Sequence, residues 1–189
     1  MQDDIDRILI PRQAIARRVG ELASQIVADL TAAPGRPADL TIVPILTGAM
    51  IFCGDLIREI RLPIRIGLLA VSSYSGASLR AQGAQMLSNR LGDQRGRHIL
   101  ILDDILDSGT TLKLVRPVVE SLGPQSVKTC VFLRKDRPAA RAVQVDYLGF
   151  DIPDEFVVGY GLDYDDYYRN LPDIVTLKKS VMERGVRSA

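Results

Sequence analysis

Residues 98–112, HILILDDILDSGTTL, constrain the fold of this 189-residue chain more than any other stretch. Four consecutive apolar residues, Ile99 to Leu102, run into Asp103-Asp104, and after Ile105-Leu106 comes Asp107-Ser108-Gly109-Thr110-Thr111. An unbroken apolar run that ends on acids reads as a strand buried on both faces, the kind found in parallel sheets. The hydroxyl residues and glycine that follow read as a tight loop opening a helix, since Ser and Thr cap helix amino termini well. In an open α/β sheet, ligands bind just beyond the carboxyl ends of the strands. A loop of small hydroxyl residues at a helix amino terminus offers N–H groups, O–H groups and a favourable dipole to a phosphate. Carboxylates beside such a seat repel an anion unless they bind something else: a divalent cation, sugar hydroxyls or a proton in transit. Asp103, Asp104 and Asp107 around this loop therefore describe a site for a phosphorylated sugar. A solvated turn would explain one acid there, but it explains three poorly.

The remaining segments alternate in the same manner. Apolar residues at Ile15, Val19, Leu22, Ile26 and Leu30 predict an amphipathic helix over 12–32, starting near Pro11. The linker PGRPAD (34–39) ends it. Leu40 to Leu46 reads as a buried strand, Thr47-Gly48-Ala49 as a short loop, and the next residues as a helix to about Ile60. Ile64 to Val71 reads as one strand, and 73–83, SYSGASLRAQG, as a mobile loop without apolar periodicity. A short strand near Gln85–Ser88 precedes the acidic strand. After it come a helix from Thr110 to Leu122, buried at Leu114, Val115, Val118 and Leu122, and a strand from Val127 to Leu133. Strands alternating with helices imply an α/β fold with a mainly parallel twisted sheet flanked by helices. From Val145 the aromatic-rich tail leaves the alternation and fits a small hood over the carboxyl edge of the sheet, together with the first ten residues or so. The expectation is one domain over 1–189, with a core of about 11–144 and a hood from about 1–10 and 145–189.

Composition narrows the partners. Lys+Arg 24 against Asp+Glu 23 leaves a net charge of +1, no electrostatic footprint for nucleic acid. Neither a signal peptide nor a membrane span is expected, and Cys53 and Cys130 lack metal spacing, so reduced thiols in a cytoplasmic protein are the default. His98, the lone histidine, reads as a strand-edge residue. There is no P-loop, and Gly159-Tyr160-Gly161 begins like a dinucleotide fingerprint but lacks its third glycine.

The stretch 98–112 resembles the phosphoribosyl-pyrophosphate (PRPP) signature of the type I phosphoribosyltransferases. Residues 145–172, VDYLGFDIPDEFVVGYGLDYDDYYRNLP, and the start, DDIDRILIPRQAIARRVGELA, are similar to the corresponding parts of hypoxanthine-guanine phosphoribosyltransferases. The resemblance implies purine salvage: transfer of the 5-phosphoribosyl group from PRPP to N9 of hypoxanthine or guanine, releasing pyrophosphate, with Mg²⁺ as cofactor and a homodimer or homotetramer as the assembly. A xanthine- or guanine-preferring enzyme is the near alternative, and a regulatory protein that kept the PRPP fold is the remote one.

By resemblance, Asp107 is the general base, and Asp107, Ser108, Gly109, Thr110 and Thr111 seat the 5′-phosphate while Asp103 and Asp104 meet the ribose hydroxyls. The family often has Glu-Asp here, so Asp103 is one methylene shorter. The purine falls to Ile105, Lys135, Phe156 and the Val157 carbonyl, with Lys135 donating to the 6-oxo group. Asp163, with Asp103 and Asp104, matches the metal-associated acids, while Arg169 matches a pyrophosphate-binding arginine. Asp165 and Asp166 read as a solvated turn. Ser73 and Tyr74 match the head of a closing lid. Thr47-Gly48 occupies the pyrophosphate loop where the family commonly has Lys or Arg before Gly, so a fixed positive charge is missing.

Overall fold

The computed structural model describes residues 1–31, 39–72 and 85–184. Ser73, Tyr74 and the rest of the expected lid, like most of the 34–39 linker, lie outside the described residues. A 3₁₀ turn (Gln2–Asp4) leads into β1 (Ile5–Ile10) and α1 (Arg12–Thr31), followed by β2 (Leu40–Leu46) and α2 (Met50–Glu59). Then come β3 (Ile64–Ile66), β4 (Leu68–Ser72), β5 (Gln85–Arg90), β6 (His98–Leu106) and α3 (Thr110–Glu120). The chain continues through β7 (Ser126–Lys135), α4 (Pro138–Arg141), β8 (Tyr147–Ile152), β9 (Ile174–Leu177) and α5 (Lys179–Arg184). No helix among the described residues is long and apolar enough to cross a membrane.

The main sheet runs β5-β4-β2-β6-β7-β8, with β3 also paired to β2. Every pair is parallel except β4–β5. β6 is central, and its apolar run serves both faces, as the period-2 geometry of a strand requires. Ile99 and Ile101 join the layer beneath α3, while Leu100 and Leu102 join the layer beneath α1 and α2. Ile15, Val19, Leu22 and Ile26 of α1 are buried as their spacing predicts.

Four local expectations change. The acids do not follow the strand; β6 carries Asp103 and Asp104 within it, paired to β7 as far as Leu106↔Arg134. The single strand expected over 64–71 is two, because Gly67 breaks the ladder. Its N–H donates to the Ile42 carbonyl at 2.9 Å, and a Cβ there would sit 2.6 Å from Leu91 Cδ2. In α3 the buried positions are Leu112, Val115 and Val119, while Leu114, Val118 and Leu122 are only half buried. The helix is thus rotated by a fraction of a turn from the expected face, so that Leu112 packs beside Leu106 and Ala140 in the core.

The fourth correction moves the core boundary from 144 to Ile152. Residues 147–152 form β8, which extends the main sheet in parallel beside β7 (Cys130↔Tyr147 to Lys135↔Ile152). The crossover helix α4 is a single turn, PAAR, too short to show apolar periodicity. Arg18 of α1 supports this edge strand: its Nε and Nη2 donate to the Gly149 and Leu148 carbonyls at 3.0 and 2.6 Å. Tyr147 Oη donates to Asp29 of the same helix at 2.7 Å. Beyond β8 lies the hood. β1 pairs antiparallel with β9, and Val158, Tyr168, Leu171, Val175, Leu177 and Val181 form its own small core.

Candidate active site

The ends of four strands, β2, β6, β7 and β8, converge with one hood segment. At the end of β6, Asp103 is 4% exposed and Asp104 is half buried, its Oδ1 accepting the Ile105 N–H at 2.9 Å. Burial, then the neighbouring Asp104 carboxylate, raise the Asp103 carboxyl well above the usual carboxylate range. Burial raises Asp104 as well, with the Ile105 N–H and the charge of Arg169 opposing it. Two adjacent carboxyls that cannot both ionise cheaply form a site that takes either a proton or a cation. Among the described residues, no three His, Cys, Asp or Glu side chains gather closely enough to hold a metal ion by themselves. Asp163 is not gathered with Asp103 and Asp104; its Oδ1 lies 2.9 Å from Arg169 Nη2.

After Asp107 the chain makes a tight turn. Gly109 has φ 77° and occupies the N-cap position of α3, where a Cβ would lie 2.5 Å from Val143 Cγ2. Glycine is therefore required for both conformation and space. Glycine, not Ser or Thr, holds the N-cap position: Ser108 Oγ pairs with Thr110 Oγ1 at 2.9 Å and accepts the Thr110 N–H at 3.4 Å, both on exposed residues. Hydroxyls and a helix amino terminus thus face solvent together, a seat for an anion.

Asp107 lies in a ring of alternating charge. Its Oδ2 accepts from Lys135 Nζ at 3.1 Å, and its Oδ1 from Arg137 Nη1 at 2.5 Å. On the far side, Asp154 Oδ2 is 2.5 Å from Arg137 Nε, and its Oδ1 is 3.8 Å from Lys135 Nζ. Lys135 is 8% exposed, so its ammonium depends on these two carboxylates. Sequence reasoning missed Arg137 and Asp154. Arg137, in the Lys135-Asp136-Arg137-Pro138 stretch at the end of β7, carries no local signal that separates it from a surface arginine. Asp154 follows β8, the unrecognised strand, and the strand-end rule applied to β8 would have found it.

The hood supplies the other wall. Phe156 is 43% exposed and meets Tyr164 edge-on at 5.6 Å between centroids, while Val157 beside it is buried. Ile105, on β6, is half buried against the core beneath α1 and α2. Arg169 is held in place by three oxygens: Asp163, Asp166 at 3.0 Å, and the Gly161 carbonyl at 2.8 Å. Asp166 is exposed as expected of a solvated turn, yet it serves as one of these anchors.

The loop after β2 reaches both walls, with Leu46–Thr47 in the cis form. Gly48 lies against Asp104, where a Cβ would fall 1.8 Å from Asp104 Oδ2. Gly161 packs against the other side of the loop, where a Cβ would fall 2.2 Å from the Gly48 carbonyl. Gly159-Tyr160-Gly161 is thus a close-packing device, not a nucleotide fingerprint. Tyr160 Oη donates to Asp55 of α2 at 2.8 Å and its ring stacks obliquely on Phe132, which fixes the hood to the core. Thr47 is exposed beside this contact. Burial pushes Cys53 up to about 11 and Cys130 to about 12, so both thiols are unreactive and neither belongs to the site.

Residues 7–165 match the phosphoribosyl transferase domain family. The hypoxanthine-guanine phosphoribosyltransferase of Mycobacterium tuberculosis is 39% identical over 183 residues, covering 95% of this chain and 90% of that protein. In structure, a hypoxanthine phosphoribosyltransferase of Staphylococcus aureus superposes with a TM-score of 0.84 at 35% identity, covering 95% of both chains. A lysine-to-arginine mutant of the Trypanosoma cruzi hypoxanthine phosphoribosyltransferase, complexed with the product IMP, gives 0.85 at 34% identity, covering 96% of this chain and 95% of that one. Alike in sequence over nearly its whole length and in fold over the same span, the chain belongs to the hypoxanthine-guanine phosphoribosyltransferase family of type I phosphoribosyltransferases.

Proposed function

We propose that the protein salvages 6-oxopurines, joining hypoxanthine or guanine to PRPP to give IMP or GMP and pyrophosphate. The single observation that carries the choice of base is the Lys135–Asp107 pair at 3.1 Å. A 6-oxopurine bearing its imidazole proton on N7 presents an acceptor (the 6-oxo oxygen) and a donor (N7–H) side by side on one edge. An ammonium next to a carboxylate is complementary to that edge. Adenine presents a 6-amino group there, and a lysine ammonium has no acceptor to offer it.

In this reading Phe156 and Ile105 hold the two faces of the base, and the Val157 carbonyl accepts from the 2-amino group of guanine. The 5′-phosphate sits on residues 107–111, and Asp103 and Asp104 orient the ribose. The N9 lone pair attacks C1′ of PRPP, the C1′–O bond breaks, and its electron pair leaves with the pyrophosphate. Asp107 Oδ2 takes the proton released from N7. Alignment of these groups supplies much of the acceleration. The acid pair, Asp103 buried and Asp104 half buried, fits a divalent cation, since it takes a positive charge in place of a proton. Proteins commonly hold Mg²⁺ through one or two carboxylates and substrate oxygens, in keeping with an acid pair that no third acid joins among the described residues. Asp104 and Asp103 would hold it, with Asp163 available once Arg169 turns to pyrophosphate; when bound, it neutralises charge on the leaving group. Assembly as a homodimer or homotetramer in the cytoplasm completes the proposal.

A purine panel tests it directly. Guanine and hypoxanthine are expected to be converted and adenine to be rejected, because a buried charged donor left unpaired costs on the order of 1–3 kcal/mol or more. Adenine used as well as guanine would refute the role of Lys135.

The missing loop cation gives a smaller expectation. Thr47→Lys should tighten pyrophosphate as a product inhibitor by no more than about fivefold, because an exposed ion pair contributes only ~0.2–1 kcal/mol. The gain should shrink with added salt. Unchanged or weaker inhibition would mean that Thr47 does not face pyrophosphate.

A further inference from the structure

We infer that Arg137 is a positioning residue for the base. It fixes which Asp107 oxygen meets the purine, and it does so from a ring that Asp154 closes. The inference rests on the proposed function, because it gives Arg137 its role through Asp107. A carboxylate on a short side chain rotates freely unless both oxygens are engaged. Here Lys135 engages Oδ2 and Arg137 engages Oδ1. The first contact is surrendered in the reaction: once a purine binds, Lys135 turns to the 6-oxo oxygen and Oδ2 must be open to a proton. Arg137 is then the contact that still holds the carboxylate plane.

Its guanidinium suits this task better than a second lysine would. Nη1 reaches Asp107 while Nε reaches Asp154, both at 2.5 Å, so one rigid plane spans two acids from different strand ends. Asp154 in turn sits 3.8 Å from Lys135, so the same acid keeps the lysine and the arginine in register. The ring holds two acids and two cations. Removing Arg137 leaves an uncompensated negative charge, which draws Lys135 inward between the carboxylates and away from the base edge. Arg137, Asp107 and Asp154 have side chains 43%, 41% and 40% exposed. Exposed ion pairs of this kind contribute little to stability, so the variants are expected to fold.

The test compares Arg137→Met, which keeps the apolar stem, with Arg137→Lys, in the parent and in an Asp107→Asn background. In the parent, Arg137→Met should lower kcat by about tenfold or more, part of what a placed base contributes. KM for PRPP should stay within about twofold, because Arg137 meets the Asp107 carboxylate and not the hydroxyl and N–H groups of 108–111 that face the phosphate. Arg137→Lys should recover only part of the loss, since a lysine reaches one carboxylate and not both. In the Asp107→Asn background, Arg137→Met should cost less than about twofold more, the non-additivity expected of residues acting through one another. An unchanged kcat, equal losses in both backgrounds, or complete recovery by lysine would each overturn the inference while leaving the proposed function standing. A parent that converts no 6-oxopurine would overturn both, since an unused base needs no positioning. Thermal melts confirm that each variant is folded when assayed.

Discussion

Replacing Asp107 by asparagine is expected to lower kcat by at least about a hundredfold while leaving PRPP affinity within about threefold. The amide keeps the size and shape of the carboxylate, so the Ser108–Gly109–Thr110 turn proposed to seat the phosphate survives. What it loses is proton affinity. The NH₂ group of asparagine would also face one of the two cations that Asp107 now satisfies, Lys135 or Arg137. Lys135, left with Asp154 at 3.8 Å as its counterion, turns toward it, and KM for the purine rises. The expected signature is therefore a collapse in kcat, a moderate rise in purine KM, and unchanged PRPP binding by calorimetry. A kcat within about threefold of the parent would remove Asp107 from proton transfer. Loss of PRPP binding would show instead that its carboxylate organises the phosphate loop.

Most of what positions this site is visible in the chain because single segments encode it. The apolar run 99–102 dictates a strand buried on both faces, and the DSGTT turn dictates a helix start, whatever surrounds them. Lys135 and Asp107 are 28 residues apart and meet because their strands are parallel neighbours, which the βα alternation already implies. The parts that stayed hidden depend on contacts between segments with weak local signals. A one-turn crossover hid β8, and with it Asp154. Arg137 looks like any surface arginine until β8 brings Asp154 to its other side. The glycines at 48, 159 and 161 are set by steric contact with distant backbone or acid oxygens, which no periodicity records. The rotation of α3 belongs to the same class, since several apolar residues compete for its inner face and packing decides among them.

Gly48→Ala should leave the fold intact and still disable the enzyme, with PRPP affinity or turnover reduced by about a hundredfold. The new Cβ would fall 1.8 Å from Asp104 Oδ2 and 2.5 Å from its Cγ, so one of the two must move by more than an ångström. The loop has no room to retreat. Its carbonyl already lies against Gly161, where even a Cβ would be 2.2 Å away, and its neighbouring Ala49 and Met50 N–H groups are bound to the Ile45 and Thr47 carbonyls. Asp104 therefore yields, breaking its 2.9 Å contact with the Ile105 N–H and turning its carboxylate out of line with Asp103. A side-chain rotation on a half-buried residue costs little stability, whereas a misplacement of about 1 Å at a reacting centre is enough for a loss of that size. Gly161→Ala tests the same contact from the hood side. It should be the less stable of the two, because its Cβ meets a backbone oxygen that cannot rotate away. Melting curves alongside PRPP titrations distinguish the two effects. A Gly48→Ala enzyme that binds PRPP and turns over like the parent would mean that the Asp104 carboxylate has no part in the reaction.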